Sequence, residues 1–186
     1  MRVVPALPDS PLRPESPRWP TGIATLDAAL GGGFAQGCVH EIYAAEPADA
    51  AAAAGFSAAL ASGMSGRADG RAGPGTGRGQ RAVLWLRARR SVQAAGLLQG
   101  RGWAELGGAP ELGLVGVVPD TLALLRAGVD ALRHAPLGAV IVEGCGAMRE
   151  LDLTASRRLV LAAQGSGVPL LLLRLDASPA PSAAQT

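Results

Sequence analysis

The sequence predicts an α/β domain with a mostly parallel central sheet flanked by helices. Its 186 residues, 48% of them hydrophobic, are enough chain for one compact domain with a core of its own. Several segments are nearly continuous apolar runs, which is typical of strands buried on both faces of a parallel sheet. Segments with helical patterns alternate with these runs, as expected for strands joined by crossover helices.

The first 20 residues carry a proline at every third position, namely 5, 8, 11, 14, 17 and 20. A polyproline II helix has three residues per turn, so it would place all six rings along one edge. We therefore predict a proline-rich N-terminal arm over residues 1–20. The arm is either a docking strip or a disordered tail of biased composition.

The chain is predicted to begin its folded core directly after the arm. Thr21 can cap a short helix that places Ile23, Leu26 and Leu30 on one face. The three glycines at 31–33 are then expected to end this helix and turn the chain.

Five segments read as strands and four as further helices. The predicted strands are Cys38–Ala44, Ala82–Arg87, Leu112–Val118, Gly138–Glu143 and Val168–Arg174. The predicted helices are Ala48–Ser62, Arg90–Leu98, Thr121–His134 and Thr154–Gln164. Asp120 is the expected N-cap of the third of these helices, because it precedes an amphipathic stretch and can accept a backbone hydrogen bond.

Two segments within or after the core are predicted to be flexible. Residues 63–80 consist mainly of glycine, arginine and proline, which cannot bury enough apolar surface to pack. Residues 177–186 form a short tail of small residues. The predicted organisation is thus an arm over 1–20, a core over 21–176 and a tail over 177–186.

The composition excludes several functions. All 17 basic residues are arginine, and a strong coding bias accounts for that count, but no lysine is present to contact a phosphate or form a Schiff base. A net charge of +2 creates no strong field, so any contact with DNA is expected to be weak or indirect. Cys38 and Cys145 are read as small core residues in a reducing compartment. With no apolar run long enough to span a bilayer, the chain is expected in the cytoplasm.

One stretch carries a specific resemblance. Residues 21–44 read TGIATLDAALGGGFAQGCVHEIYA, which resembles the entry to the ATPase core of the RecA recombinase family. Pro119-Asp120-Thr121 and the segment Gly138–Gly144 are similar to the family's P-D-T motif and Walker B strand. The matching residues of the first motif are Thr21, Gly22, Leu26, Asp27, Ala29, Leu30, Gly31, Gly33, Glu41, Ile42 and Tyr43. The resemblance implies a RecA-like three-layer core.

The resemblance also locates the phosphate loop, whose chemistry is lost. The first and second loop glycines fall on Ala44 and Asp49, the lysine on Ala50 and the Ser/Thr on Ala51. A working loop needs those glycines, the lysine at the phosphates and the hydroxyl at magnesium. Asp49 and Glu46 also repel phosphate, by about 4 kcal/mol for one unit-charge pair at 4 Å and an effective dielectric near 20. We expect these carboxylates to serve the positive end of the following helix instead.

The other positions implied by the family agree with a degenerate site. The catalytic glutamate falls near Arg87 and Ala88, which offer no carboxylate. The Walker B aspartate falls on Glu143, which is either a remaining magnesium ligand or a structural hydrogen-bonding group. The polar phosphate sensor falls on Arg174. Because neighbouring parallel strands end at the same edge of a sheet, we hypothesise that Arg174 pairs with Glu143.

An arginine-rich region lies between the first and second core strands and just beyond. It is either a solvated loop or a contact for DNA phosphate or an acidic partner. Its members are Arg67, Arg71, Arg78, Arg81, Arg87, Arg89 and Arg90.

A RecA-like core without ATP chemistry resembles the ImuA family, as do the opening WPTGIATLDAALGGG and the closing VPLLLLR. This resemblance implies a non-catalytic accessory protein of SOS-induced translesion synthesis that needs no cofactor. Its implied partners are an ImuB-like inactive relative of Y-family polymerases, an error-prone replicative-type polymerase and RecA. Two alternatives remain open, a SulA-like cell-division inhibitor and a RecA-like ATPase with an atypical loop.

Overall fold

The computed structural model describes residues 17–66, 81–133 and 136–185. The predicted arm up to residue 16, the arginine-rich segment 67–80 and residue His134 therefore lie outside the described residues. This applies to three of the predicted contact residues, Arg67, Arg71 and Arg78.

Strands and helices alternate along the described chain. The strands are β1 (Arg18–Trp19), β2 (Phe34–Ala35), β3 (Val39–Ala44), β4 (Ala82–Ala88), β5 (Gly113–Val118), β6 (Leu137–Cys145) and β7 (Leu170–Leu175). The helices are α1 (Ala24–Ala29), α2 (Ala50–Met64), α3 (Arg89–Ala95), α4 (Gly100–Glu105), α5 (Thr121–Leu132) and α6 (Leu153–Ser166). Single 3-10 turns at Pro47–Asp49 and Pro110–Leu112 precede α2 and β5.

The central sheet contains five parallel strands in the order β3-β7-β6-β4-β5. All five are the predicted strands, with ends that differ by one or two residues. The apolar runs of β3, β4, β6 and β7 are largely buried, which confirms the α/β class that these runs predicted. The edge strand β5 differs, because Leu114, Val115 and Val117 are about half exposed.

A layer of helices covers each face of the sheet. Helices α5 and α6 enclose one core cluster, built around Leu124, Leu159 and Leu172. Helix α2 and the residues around α4 enclose the other, built around Trp85 and Ile141. Because successive strand residues point to opposite faces, each central strand contributes to both clusters.

The predictions missed helix α4 and the small antiparallel sheet of β1 and β2. Helix α4 begins with the sequence Gly-Arg-Gly, whose glycines have low helix propensity; the buried Trp103 anchors it. Strand β1 pairs with β2 beside the end of α2. There the Trp19 ring lies directly against Gly63, where a side chain would collide with it. Arg18 and Trp19 of the predicted arm thus contact the domain.

Of the two predicted helix N-caps, Asp120 is correct and Thr21 is wrong. The Asp120 carboxylate accepts a 2.8 Å hydrogen bond from the Ala123 N–H and caps α5 as predicted. Thr21 does not cap α1, whose N-cap position is Ile23. The Thr21 hydroxyl and N–H instead donate to the Asp27 carboxylate at 2.7 and 2.8 Å. These two bonds, with one from Gly22, lower the pKa of Asp27.

Candidate functional site at the carboxyl edge of the sheet

Parallel α/β sheets bind ligands in the loops beyond the carboxyl ends of their strands. Here that edge includes the turn from β3 into α2 and the ends of β4, β6 and β7. The positions that the family resemblance assigned to ATP chemistry all lie at this edge.

The turn from β3 to α2 holds the four degenerate loop positions. Ala44 is the buried last residue of β3, while Ala50 and Ala51 form the first turn of α2. Asp49 precedes them as the N-cap residue, and its side chain accepts no capping hydrogen bond. The Glu46 side chain forms none at the 3-10 turn either. The expectation that these carboxylates bond to the helix end is therefore wrong, although both remain exposed near its positive end.

At the Walker B position, Glu143 forms a bidentate ion pair with Arg87. The Arg87 Nε–H donates to Glu143 Oε2 at 2.9 Å, and Nη2–H donates to Oε1 at 2.7 Å. Both residues are interior, with 1% of Glu143 and 2% of Arg87 exposed. A bidentate pair of this kind combines charge neutralisation with fixed geometry.

The remaining hydrogen-bonding groups of this pair are also occupied. The Trp85 indole N–H donates to Glu143 Oε2 at 2.8 Å, and Arg87 Nη1–H donates to the Gly96 carbonyl at 2.6 Å. The Ser91 hydroxyl donates to the Glu143 main-chain carbonyl at 3.1 Å. The cluster of Trp85, Arg87 and Glu143 thereby joins β4 and β6 to the segment around α3. We call it the closed cluster.

Strand register explains why Arg87 and not Arg174 pairs with Glu143. Arg87 and Glu143 are directly aligned in the neighbouring strands β4 and β6, so both point to the α2 face. Arg174 in β7 aligns with Gly144 and therefore points to the opposite face. The hypothesised pair of Arg174 and Glu143 is wrong for this reason.

In the closed cluster, the Glu143 carboxylate is already bound by a cation. The guanidinium occupies both carboxylate oxygens, so a magnesium ion would have to displace Arg87 before binding Glu143. Within the described ranges, no group of three or more His, Cys, Asp and Glu residues could hold a metal ion. Arg87, near the position that the resemblance assigned to a catalytic glutamate, thus neutralises the carboxylate of Glu143.

The described arginines that were predicted as contacts differ in how exposed they are. Arg81, Arg89 and Arg90 are exposed, the last two in the first turn of α3. None of the three forms an ion pair within the part of the chain that the structure describes. Arg87 lies inside the closed cluster and is not available at the surface.

Three further ionisable side chains near the sheet are perturbed by burial. Burial lowers the pKa of His40 to about 4, although the hydrogen bond of its ring to the Ala35 carbonyl acts in the opposite direction. Burial raises the pKa of the Cys38 and Cys145 thiols. Both cysteines are free. These thiols are therefore weak nucleophiles, as expected for core cysteines.

Sequence reasoning missed the roles of Trp85 and of the Arg87 guanidinium. A signal for the ion pair was present, because Arg87 ends a predicted strand just as Glu143 does. Trp85 lies two residues before Arg87 and so points to the same face. Both β4 and β7 neighbour β6, and the register of each pairing decided which arginine met Glu143, because it aligns Arg87 with Glu143 but Arg174 with Gly144. That register is not readable from local sequence.

The comparisons with known proteins concern the fold of the chain. No protein-family model and no curated protein matches the chain. The solved structure of the RadB recombinase is similar with a TM-score of 0.53 and 17% identity, over 84% of this chain and 70% of RadB. SulA from Pseudomonas aeruginosa is similar with a TM-score of 0.49 and 20% identity, over 74% of this chain and 97% of SulA. The RadB similarity confirms the predicted fold class.

Among the helices in the described ranges, none has both the length and the apolar character that are needed to cross a bilayer.

Proposed function

We propose that this protein is a non-catalytic accessory protein of SOS-induced translesion DNA synthesis that acts in the cytoplasm. It binds an ImuB-like inactive relative of Y-family polymerases and an error-prone replicative-type polymerase, and RecA is a further candidate partner. The fold supports the proposal as a rigid scaffold. The sequence resemblance to the ImuA family is the basis for proposing a role in translesion synthesis.

The observation that carries the non-catalytic part is the ion pair of Arg87 with Glu143. A RecA-like ATPase needs a free carboxylate for magnesium and a lysine for the phosphates. Here the Arg87 guanidinium binds both oxygens of the Glu143 carboxylate at 2.7 and 2.9 Å, and Ala50 stands where the resemblance places the lysine. Both losses favour a protein that works by binding.

Nucleotide binding is the direct test of the alternative in which an atypical loop still hydrolyses ATP. Fluorescent ATP with magnesium should show no saturable binding to the wild-type chain. The matched variant Ala50→Lys restores only the missing cation, and it should also fail because Arg87 still occupies Glu143. Micromolar binding to the wild-type chain would overturn the non-catalytic proposal.

Affinity purification after DNA damage tests the pathway. Tagged protein from damaged cells should retain a polymerase-like partner, whereas protein from undamaged cells should retain less of it. Overexpression separates the cell-division alternative, because a SulA-like inhibitor causes filamentation and an ImuA-like accessory protein should not. Filamentous cells without any polymerase-like partner would replace our proposal with that alternative.

The exposed arginines test whether DNA is contacted directly. We expect the triple variant Arg81→Ser, Arg89→Ser, Arg90→Ser to change single-stranded DNA binding less than threefold, because contact is weak or indirect. Arg157→Ser with Arg158→Ser, two exposed arginines of α6, is the matched control. A tenfold loss confined to the triple variant, measured by fluorescence anisotropy at fixed salt, would show a direct DNA contact.

A further inference from the structure

The segment of residues 177–185 leaves the end of β7 and runs back along β3 on the side of α6, and we call it the strap. Among the described residues, β3 is an edge strand that pairs with β7 on one side only. The Ala177 N–H donates to the Ala44 carbonyl at 3.4 Å on the β7 side of β3. The Gln185 N–H donates to the outward-facing Val39 carbonyl at 2.9 Å, so the strap follows β3 in the opposite direction and reaches its outer edge at Gln185.

The strap is attached mainly at its ends. Between them, the Ala180 N–H reaches the Tyr43 hydroxyl at 3.5 Å, and the Ala183 N–H donates to the Ser156 hydroxyl of α6 at 3.2 Å. In the described residues no main-chain hydrogen bond links residues 178–184 to β3. Two of the intervening residues are prolines, which have no N–H to donate. With small side chains and few bonds, the strap belongs to the low-stability parts of the fold.

A polar cluster lies on this face of β3, next to the strap. The Tyr43 hydroxyl donates to the Glu41 carboxylate and accepts a 3.3 Å hydrogen bond from Arg174 Nη1–H. The Arg174 guanidinium also lies 5.3 Å from the centre of the Tyr43 ring, and only 7% of this arginine is exposed. We call Glu41, Tyr43 and Arg174 the open cluster.

The open cluster contains two buried polar atoms without a hydrogen-bond partner among the described residues. They are Oε1 of Glu41, an acceptor, and Nε of Arg174, a donor. Both side chains bind the same phenol oxygen, so the two atoms belong to one small region. Buried polar atoms are normally paired, and unpaired ones are costly. A hydroxyl or a primary carboxamide, which donates and accepts at once, can pair with both kinds of atom.

We propose that the outer edge of β3 and the open cluster form a docking surface for an extended segment of a partner protein. The segment carries serine, threonine, asparagine or glutamine at the position over Tyr43. It adds to β3 as a strand, which supplies main-chain hydrogen bonds, while the open cluster supplies specificity. Tyrosine and arginine are also the residue types enriched at the energetic centres of interfaces.

The strap lies over this surface without completing the open cluster. It places Ala180 at the Tyr43 hydroxyl, and the methyl side chain of alanine leaves Oε1 of Glu41 and Nε of Arg174 unpaired. Covering an edge strand with a loop that contains prolines also prevents unspecific pairing. A partner must therefore displace the strap. This inference rests on the proposed role as a binding protein, for which it names the surface.

A synthetic peptide with the strap sequence, ASPAPSAAQ, is the probe. It is labelled with a fluorophore and titrated against the full chain. The variant Ala183→Pro with Gln185→Pro removes two strap N–H donors without changing the length, and Ser178→Pro is the matched control because no hydrogen bond of its N–H is present in the described residues. Circular dichroism verifies that all variants keep the fold.

We expect the peptide to bind the double-proline variant at least tenfold more tightly than the wild-type chain or the control. The peptide with Ala180→Ser, which places a hydroxyl over Tyr43, should bind that variant about fivefold more tightly than the unchanged peptide, the typical gain for one net hydrogen bond. Adding Tyr43→Phe to the double-proline variant should remove this gain. Equal binding to the double-proline variant and the wild-type chain, or binding to neither, would overturn the proposal.

Co-purification separates this inference from the proposed function. If a polymerase-like partner is retained equally by the wild-type chain, the double-proline variant and Tyr43→Phe, the docking surface is refuted and the accessory role stands. If none of the three retains such a partner but the peptide binds as expected, the accessory role is refuted and the docking surface stands.

Discussion

The central sheet carries one glutamate–arginine cluster on each face, and the two differ in how completely they are paired. In the closed cluster, Arg87 and Glu143 form two direct hydrogen bonds, and a tryptophan and a main-chain carbonyl complete the set. In the open cluster, Glu41 and Arg174 meet only through the Tyr43 hydroxyl.

Register accounts for this difference. Arg87 and Glu143 are aligned partners in adjacent strands. Arg174 aligns with Tyr43, while Glu41 aligns with Leu172 and lies one side-chain repeat away along β3. Direct alignment allows a bidentate pair, whereas the offset leaves one oxygen and one nitrogen unpaired. The comparison shows that the same residue types form a fully paired cluster or one with unpaired atoms, depending on the register of the strands that carry them.

The largest effect is expected from breaking the closed cluster. Arg87→Met leaves the Glu143 charge buried without a partner and should lower the free energy of unfolding by about 3–5 kcal/mol. Urea denaturation measures the change. The neighbouring exposed residue offers the control Arg89→Met, which should stay within about 0.5 kcal/mol of wild type. Arg87→Met with Glu143→Leu should recover most of the loss, since no buried charge remains. A single variant as stable as the control would contradict the closed cluster.

The second prediction concerns the protonation of His40, a residue that belongs to neither cluster. His40 takes up a proton near pH 6.5 when unfolded but only near pH 4 when folded. Between these values the unfolded state binds more protons, so stability should fall by about 3 kcal/mol as the pH drops from 6.5 to 4. Above pH 6.5, His40 does not contribute to the change of the unfolding free energy with pH. His40→Gln should remove that part of the acid dependence, measured by urea denaturation at several pH values. An unchanged slope would contradict it.

The open cluster should tolerate its own arginine substitution better. Arg174→Met removes one hydrogen bond and the contact with the Tyr43 ring, but it leaves Glu41 bonded to the phenol. We expect a loss of about 1–2 kcal/mol, clearly smaller than for Arg87→Met. The exposed Arg157→Met in α6 is the control. If Arg174→Met costs as much as Arg87→Met, the two clusters do not differ as described.

The smallest effect concerns helix α6, which covers the face that holds the open cluster. The Asp152 carboxylate accepts a 2.7 Å hydrogen bond from the Ala155 N–H. Asp152→Ala should therefore cost about 1 kcal/mol, and Asp152→Asn should cost much less because asparagine is an equally good cap. Thermal unfolding compares the two variants. Equal losses would show that charge, and not the capping bond, stabilises this end.

Much of the fold was predictable from local patterns. Continuous apolar runs located all five strands of the central sheet, and the Asp120 cap marked the start of α5. Helix α4 was not predictable, because its two glycines oppose a helix and only the burial of Trp103 stabilises it. The side-chain caps expected at Thr21 and Asp49 failed, because the Thr21 hydroxyl bonds to Asp27 and a 3-10 turn precedes α2.

At the candidate site, the sequence predicted which residues of a phosphate loop are absent, but not the contacts that the residues present there form. The sequence alone determined that Ala50 and Ala51 lack the amine and the hydroxyl of a phosphate loop, since this is a matter of residue identity. The tertiary structure decided that Arg87 neutralises Glu143 and that the strap runs back along β3. Those contacts join residues 56 and more positions apart. They depend on strand order and on the face to which each side chain points, which only the assembled sheet specifies.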